Sequence, residues 1–143
     1  MLSLTCKASI KAVVYLGSIS GKGKKVSIHD VAVAIDENEH TVAKLLQKLS
    51  KNKIINSVKG PNGGFSMTEA QKSLPVINII NTIDGEDVFE NCGLGLNECS
   101  ETKPCPFHSD FKPIRESFKV MCTNKKINEL YEEVNNGITF LIN

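Results

Sequence analysis

The sequence predicts a mainly α-helical fold that carries one small β-hairpin and ends in a long helix. Three observations predict it. Apolar residues recur at helical spacing through most of the 143 residues. Two helix-start signals follow one another with almost no chain between them. A Gly-rich turn then separates two short β-prone runs.

Residues 6–20 form the first expected helix, with Ile10, Val13, Val14 and Gly17 on one stripe, Leu16 and Ile19 widening it, and Thr5 as the expected N-cap. Ser20 to Lys25 is a glycine-containing loop. Ser27, with Asp30 three residues on, makes a capping box ahead of Ile28, Val31, Ala32 and Ile35. Asp36-Glu37-Asn38-Glu39 is a second start signal, opening a helix from 37 to about Ser50 with Val42, Leu45, Leu46 and Leu49 inward. Two capped helices so close together are a helix-turn-helix candidate. The period then changes: Ile54–Lys59 is β-prone, Gly60-Pro61-Asn62-Gly63-Gly64 is a turn with Asn62-Gly63 as the favoured hairpin dipeptide, and Phe65 and Met67 alternate with Ser66 and Thr68 as a return strand. A helix-turn-helix followed by a hairpin is a winged helix, with the hairpin tip as its wing.

Pro75 opens a helix over 75–84 with Val76, Ile79, Ile80 and Ile83 on one face, ended by Asp84-Gly85. Residues 86–106 have no period, and a structureless stretch of that length points to function. A long helix over 107–122 follows, with Phe111, Ile114, Phe118 and Met121 or Cys122 as its stripe; Ile127, Leu130, Tyr131 and Val134 continue after a break at Thr123-Asn124. The expected organisation is a winged-helix head (1–68), a connecting helix (69–87), a cysteine-rich sensor loop (88–106), and a long helix with a C-terminal helix (107–143).

The net charge of +1 hides a split. Residues 1–60 hold ten Lys against four acids, a net +6, and residues 61–143 hold seven Lys or Arg against twelve acids, a net −5. A basic head suits a polyanion such as double-stranded DNA. The helix 37–50 turns Asn38, Glu39, His40, Thr41, Lys44 and Lys48 away from its apolar side, and its first turns are where a recognition helix meets base edges. Lys22, Lys24, Lys25, Lys48 and Lys51 suit phosphates, and Lys59 through Gly64 gives the wing a cation and close-approaching glycines. The candidate DNA-contacting set is Thr5, Lys7, Ser27, Asn38, His40, Thr41, Lys44, Lys48, Lys59, Pro61, Asn62 and Gly63. A winged helix can also grip protein, so a partner-binding module or cluster carrier is the competing class. No nucleophile motif, phosphate loop or paired-carboxylate signature points to an enzyme. No apolar run reaches the length of a membrane span and the opening residues do not read as a signal peptide, so the expectation is a cytoplasmic protein.

Of five cysteines, Cys6 and Cys122 fall on helical stripes, whereas Cys92, Cys99 and Cys105 fall within fourteen residues as C-x6-C-x5-C. An odd count without a secretion signal argues against a disulfide framework. Structural zinc sites pair cysteines two to four residues apart, and that pairing is missing. Three thiolates spread along a glycine-containing loop suit an iron–sulfur cluster, 2Fe–2S or 4Fe–4S, which a purified sample can lose. His108 is the nearest fourth ligand, with Glu90, Glu98, Glu101, Asp110 or a partner's side chain as alternatives. Zinc with His108, or three free thiols sensing by oxidation, remain open.

The combination resembles the Rrf2 family of bacterial regulators, whose IscR-type and NsrR-type members are iron–sulfur sensors. Leu45 to Phe65, with its Ser-Val-Lys-Gly-Pro-x-Gly-Gly-Phe, is similar to the family's recognition helix and wing. Leu4-Thr5-x-Lys-Ala is similar to its N-terminal signature, and Pro-Cys-Pro-Phe-His closes a loop like that of its cluster-binding members. The resemblance implies a homodimer built on the helix 107–122 and a two-half-site operator. It further implies a cluster on Cys92, Cys99 and Cys105 that senses nitric oxide, redox state or iron–sulfur status. By position, His40, Thr41 and Lys44 would read bases, and Lys59 would enter the minor groove or meet phosphate. The acid that NsrR-type proteins supply from the first helix is replaced here by Ala8-Ser9-Ile10-Lys11, whereas His108 matches the IscR-type histidine.

Overall fold

The computed structural model describes residues 1–19 and 24–143. Part of the expected loop over 20–25, including Lys22, lies outside the described residues.

Helix α1 (Leu4–Ile19) begins earlier than its periodicity predicts. Ser3 rather than Thr5 is its cap, accepting the Cys6 N–H on Oγ at 3.0 Å. Asp84 fixes Ser3 in that role by accepting both its N–H and its hydroxyl. Thr5 is left inside the first turn, where its carbonyl accepts the Ser9 hydroxyl at 2.8 Å. Helix α2 (Ile28–Ile35) has the Ser27–Asp30 capping box and buries Val31, Ala32 and Ile35. The acidic run after it divides into a stop and a start. Asp36 closes α2 in the left-handed region at φ 54°, which Asp tolerates better than most residues. Asn38 caps α3 (Glu39–Lys51), accepting the Thr41 N–H at 2.8 Å, so α3 starts at 39 rather than 37. Val42, Leu45, Leu46 and Leu49 are all buried.

Strands β1 (Asn56–Val58) and β2 (Gly64–Ser66) pair antiparallel, with Ser57 opposite Phe65. The connection runs over 59–63, and the Gly63 N–H donates to the Gly60 carbonyl at 2.9 Å. Pro61 and Asn62 are therefore the corner residues, and Asn62-Gly63 is not the two-residue turn that the dipeptide suggests. Proline's fixed φ suits that first corner position. Gly63 is required there, because a Cβ would lie 2.1 Å from the Val58 carbonyl oxygen. Val26 exchanges two backbone bonds with Phe65, at 2.9 and 2.8 Å, tying the wing to the entrance of α2. The return strand stops at Ser66. Thr68 instead caps a one-turn helix, α4 (Glu69–Lys72), in a capping box with Gln71.

Helix α5 (Ile77–Ile83) starts later than Pro75 suggests. The Val76 N–H is taken by the Lys125 carbonyl at 2.9 Å, and the Ile127 N–H by Leu74 at 3.0 Å, which clasps the entrance of α5 to that of the last helix. A short 3-10 turn (Glu86–Phe89) precedes the cysteine segment. Helix α6 (His108–Asn124) carries Pro113 in its second turn, and α7 (Ile127–Asn135) ends the helical chain. The stripe expected on α6 splits: Phe111 and Phe118 are half-buried and Cys122 is buried, but Ile114 and Met121 are exposed.

The main core is centred on α1, through Ala8, Ala12, Val13 and Leu16, against the inward faces of α2 and α3. It also takes Ile79 from α5 and Ile127 from α7. At Gly17 the two end helices touch, since a Cβ there would lie 2.6 Å from the Tyr131 ring. A second cluster of Cys6, Val76, Ile80, Phe89 and Cys122 joins α1, α5, the 3-10 turn and α6. Among the described residues, no helix is long and apolar enough to cross a membrane.

Candidate functional site

The head's candidate contacts are mostly free to meet a ligand. Thr5, Lys7, Ser27, Asn38, His40, Lys44, Lys48, Lys59, Pro61 and Asn62 are exposed, and Thr41 and Gly63 are half-buried. His40, Thr41 and Lys44 occupy the first turns of α3, the position from which a recognition helix reaches base edges. Some of the set already has local work. Ser27 and Asn38 accept backbone N–H groups as caps. The Lys48 ammonium reaches the Ile83 carbonyl at 3.4 Å, linking α3 to the end of α5. Two links were not visible in the sequence. Lys25 donates to the Asn62 carbonyl at 3.4 Å, bracing the wing tip. His29 pairs with Glu39, which joins the two helices of the motif and raises the imidazole pKa.

Of the four candidate metal ligands, two are in direct contact, and Cys105 lies near enough to Cys92 to help hold its thiol down. The Cys99 sulfur lies 3.3 Å from His108 Nδ1. Cys92 is buried, and the Leu94 N–H points at its sulfur at 3.4 Å. Backbone N–H groups of Leu94 and Leu96 hold its thiol below the ordinary value, favouring the thiolate that metals and clusters require. The loop reaches this shape through Gly95, at φ 77°, and the close approach of Gly93 to the Phe111 ring. His108 uses its other nitrogen toward Glu101 at 3.6 Å, and Glu101 is paired in turn with Lys112. That pairing holds the Glu101 carboxyl below its usual range, and this carboxylate is engaged by a cation. Among the described residues, no three His, Cys, Asp or Glu side chains converge on one point at metal distance. The donor set, three soft sulfurs and an imidazole with peptide N–H groups aimed at sulfur, fits an iron–sulfur group in its chemistry. The four donors must draw together to hold one.

The remaining cysteines differ. Burial, with Asp84 nearby, pushes the Cys6 thiol up to about 12, and burial also raises that of Cys122. In metal-free protein, iodoacetamide is expected to label Cys99 and Cys105, which are half-exposed, and to spare Cys6 and Cys122 until urea is added. Mass spectrometry of digested protein reads the order, and early labelling of Cys6 would contradict this packing. Arg115 was missed altogether. It is 4 % exposed and its guanidinium donates to the carbonyls of Glu90 and Asn91, at 3.2 and 2.6 Å. Its one available signal was being the single arginine beside sixteen lysines.

Comparison with known proteins agrees with this architecture. A protein of Aquifex aeolicus named as an HTH-type transcriptional regulator is 26 % identical over 132 residues, covering 91 % of this chain and 90 % of its own. The HTH-type transcriptional regulator NsrR of Geobacillus kaustophilus is 23 % identical over 111 residues, covering 77 % of this chain and 75 % of its own. Among solved structures, the global cysteine regulator CymR of B. subtilis superposes with a TM-score of 0.74 at 17 % identity, over 92 % of this chain and 96 % of that one. IscR of T. potens superposes at 0.73 and 15 % identity, over 97 % and 91 %. These likenesses show the winged-helix fold. The family model described as Rrf2, an iron-dependent transcriptional regulator, matches residues 2–133. The chain belongs to the Rrf2 family of transcriptional regulators.

Proposed function

We propose that this chain is a dimeric, cytoplasmic regulator whose hold on a DNA operator is set by an iron–sulfur cluster bound through Cys92, Cys99, Cys105 and His108. One observation carries the reading: three thiols and an imidazole are gathered between Cys92 and the first residue of α6, the helix that presents an unburied apolar line, with Cys99 already against His108 and a peptide N–H on the Cys92 sulfur. That line is Phe107, Ile114 and Met121, seven residues apart along or just before α6 and each more than half exposed. A second copy of the chain is the occupant we assign to it, as family resemblance implies. When bound, a cluster would supply a redox-active and nitric-oxide-reactive centre. The protein's own residues do the rest. Leu94 and Leu96 stabilise the Cys92 thiolate, Glu101 orients the His108 ring, α3 presents His40, Thr41 and Lys44, and Lys59 and the wing glycines approach the backbone or minor groove.

An anaerobic preparation is expected to show the visible absorbance of a cluster and matching iron and sulfide, and to bleach with nitric oxide. A colourless protein that takes up neither would overturn the reading. The nearness of Cys105 to Cys92 favours one alternative, a thiol pair that responds to oxidation or holds zinc; zinc analysis and thiol counting separate these. For the head, Lys44→Ala is expected to weaken operator binding by about 1–3 kcal/mol while changing random-DNA binding less. Fluorescence anisotropy checks it, and equal loss on both DNAs would make Lys44 a phosphate contact.

A further inference from the structure

Helix α6 grips the start of the cysteine segment at three successive turns, in antiparallel order. The Phe111 ring lies against Gly93, where a Cβ would come within 2.8 Å of it. One turn on, Arg115 Nη1 donates to the carbonyls of Asn91 at 2.6 Å and Glu90 at 3.2 Å. One turn further, the Phe118 ring meets that of Phe89 with centroids 5.7 Å apart. Cys92 lies between the first and second grips. Two of the three grips are apolar or aromatic. The middle one is a buried cation, and among the described residues no carboxylate pairs with it and its Nε–H has no acceptor. Burying an unpaired charge is unfavourable, and a hydrophobic side chain would pack the same space more stably. A guanidinium does what no apolar side chain can: its Nη1 donates to two consecutive carbonyls, which fixes the direction of the backbone entering Cys92. The adjoining face of the same helix carries the exposed line of Ile114 and Met121.

We propose that Arg115 is a positioning residue that latches the backbone before Cys92 to α6, so that a change in what Cys92 holds is transmitted to this helix. The latch stands on the hydrogen bonds alone, whereas the transmitted signal rests on the iron–sulfur reading above. Metal-free wild type, Arg115→Lys and Phe111→Leu are compared by hydrogen exchange. Lysine keeps the charge but ends one bond short of the Nη1 position, and leucine loosens the neighbouring grip without touching the carbonyls. In both variants the amides of residues 90–95 are expected to exchange about tenfold faster, with α3 unchanged. Wild-type exchange at 90–95 in Arg115→Lys would overturn the latch, whatever Phe111→Leu shows. Arg115→Lys protein reconstituted anaerobically is then expected to take up wild-type iron and sulfide. Its ratio of operator affinities, loaded against metal-free, should move toward one, and a wild-type ratio would overturn the coupling. A wild-type protein that binds no iron and sulfide overturns the cluster reading instead, while the exchange comparison still decides Arg115.

Discussion

Cys92→Ala protein, reconstituted anaerobically with iron and sulfide, is expected to take up no cluster and to bind DNA alike before and after reconstitution. Cys92 is the most consequential ligand to remove because the fold has already committed it. The residue is 7 % exposed, its sulfur receives a peptide N–H, and Cys105 lies nearby. Cys99 lies against His108, and with Cys92 gone the remaining donors cannot surround one centre. Cys122→Ala is the control, since it removes a buried sulfur from the second apolar cluster and leaves the loop untouched. Iron analysis and visible spectra read both proteins. A full iron complement in Cys92→Ala would remove Cys92 from the ligand set.

Leu46→Ala is expected to have the largest effect on stability, about 2–5 kcal/mol in urea unfolding. Leu46 is fully buried in the middle of α3 and packs in the core that α1, α2 and α3 share. Truncation removes the transfer free energy of three carbons and leaves a cavity between helices that cannot close independently. Against a total of about 5–15 kcal/mol for a domain of this kind, such a loss leaves a small margin. DNA binding should fall with it, because the same helix carries His40, Thr41 and Lys44 on its outer side. Val33→Ala, one turn from the core face of α2 and 64 % exposed, should be nearly neutral. Comparable losses for both variants would mean that the α3 packing described above is wrong.

The parts of the fold legible in sequence were those whose signal is local. The Val42–Leu49 stripe marked α3, the Ser27–Asp30 box marked α2, and the glycine cluster marked the wing. The errors came where a distant residue decides. Thr5 lost the cap to Ser3 because Asp84, eighty-one residues away, pins Ser3. The Asn62-Gly63 turn gave way to one with Pro61 at its corner, and Val26 joined the hairpin from before α2. The cysteines stood out by spacing, but the neighbours each would have did not, because a segment without periodicity folds according to what α6 offers it. Arg115 had no local pattern at all. Its partners are backbone carbonyls, which every sequence has.

The contact of Gly17 with Tyr131 has a consequence for synthesis. Helix α1 can find this neighbour only after α7, the last helix of the described residues, has been made. Until then Val13 and Leu16 lack the cover that Ile127 and Tyr131 provide. A nascent chain stalled after the wing would hold its apolar surface open to chaperones and proteases, and would gain its shape in one late step.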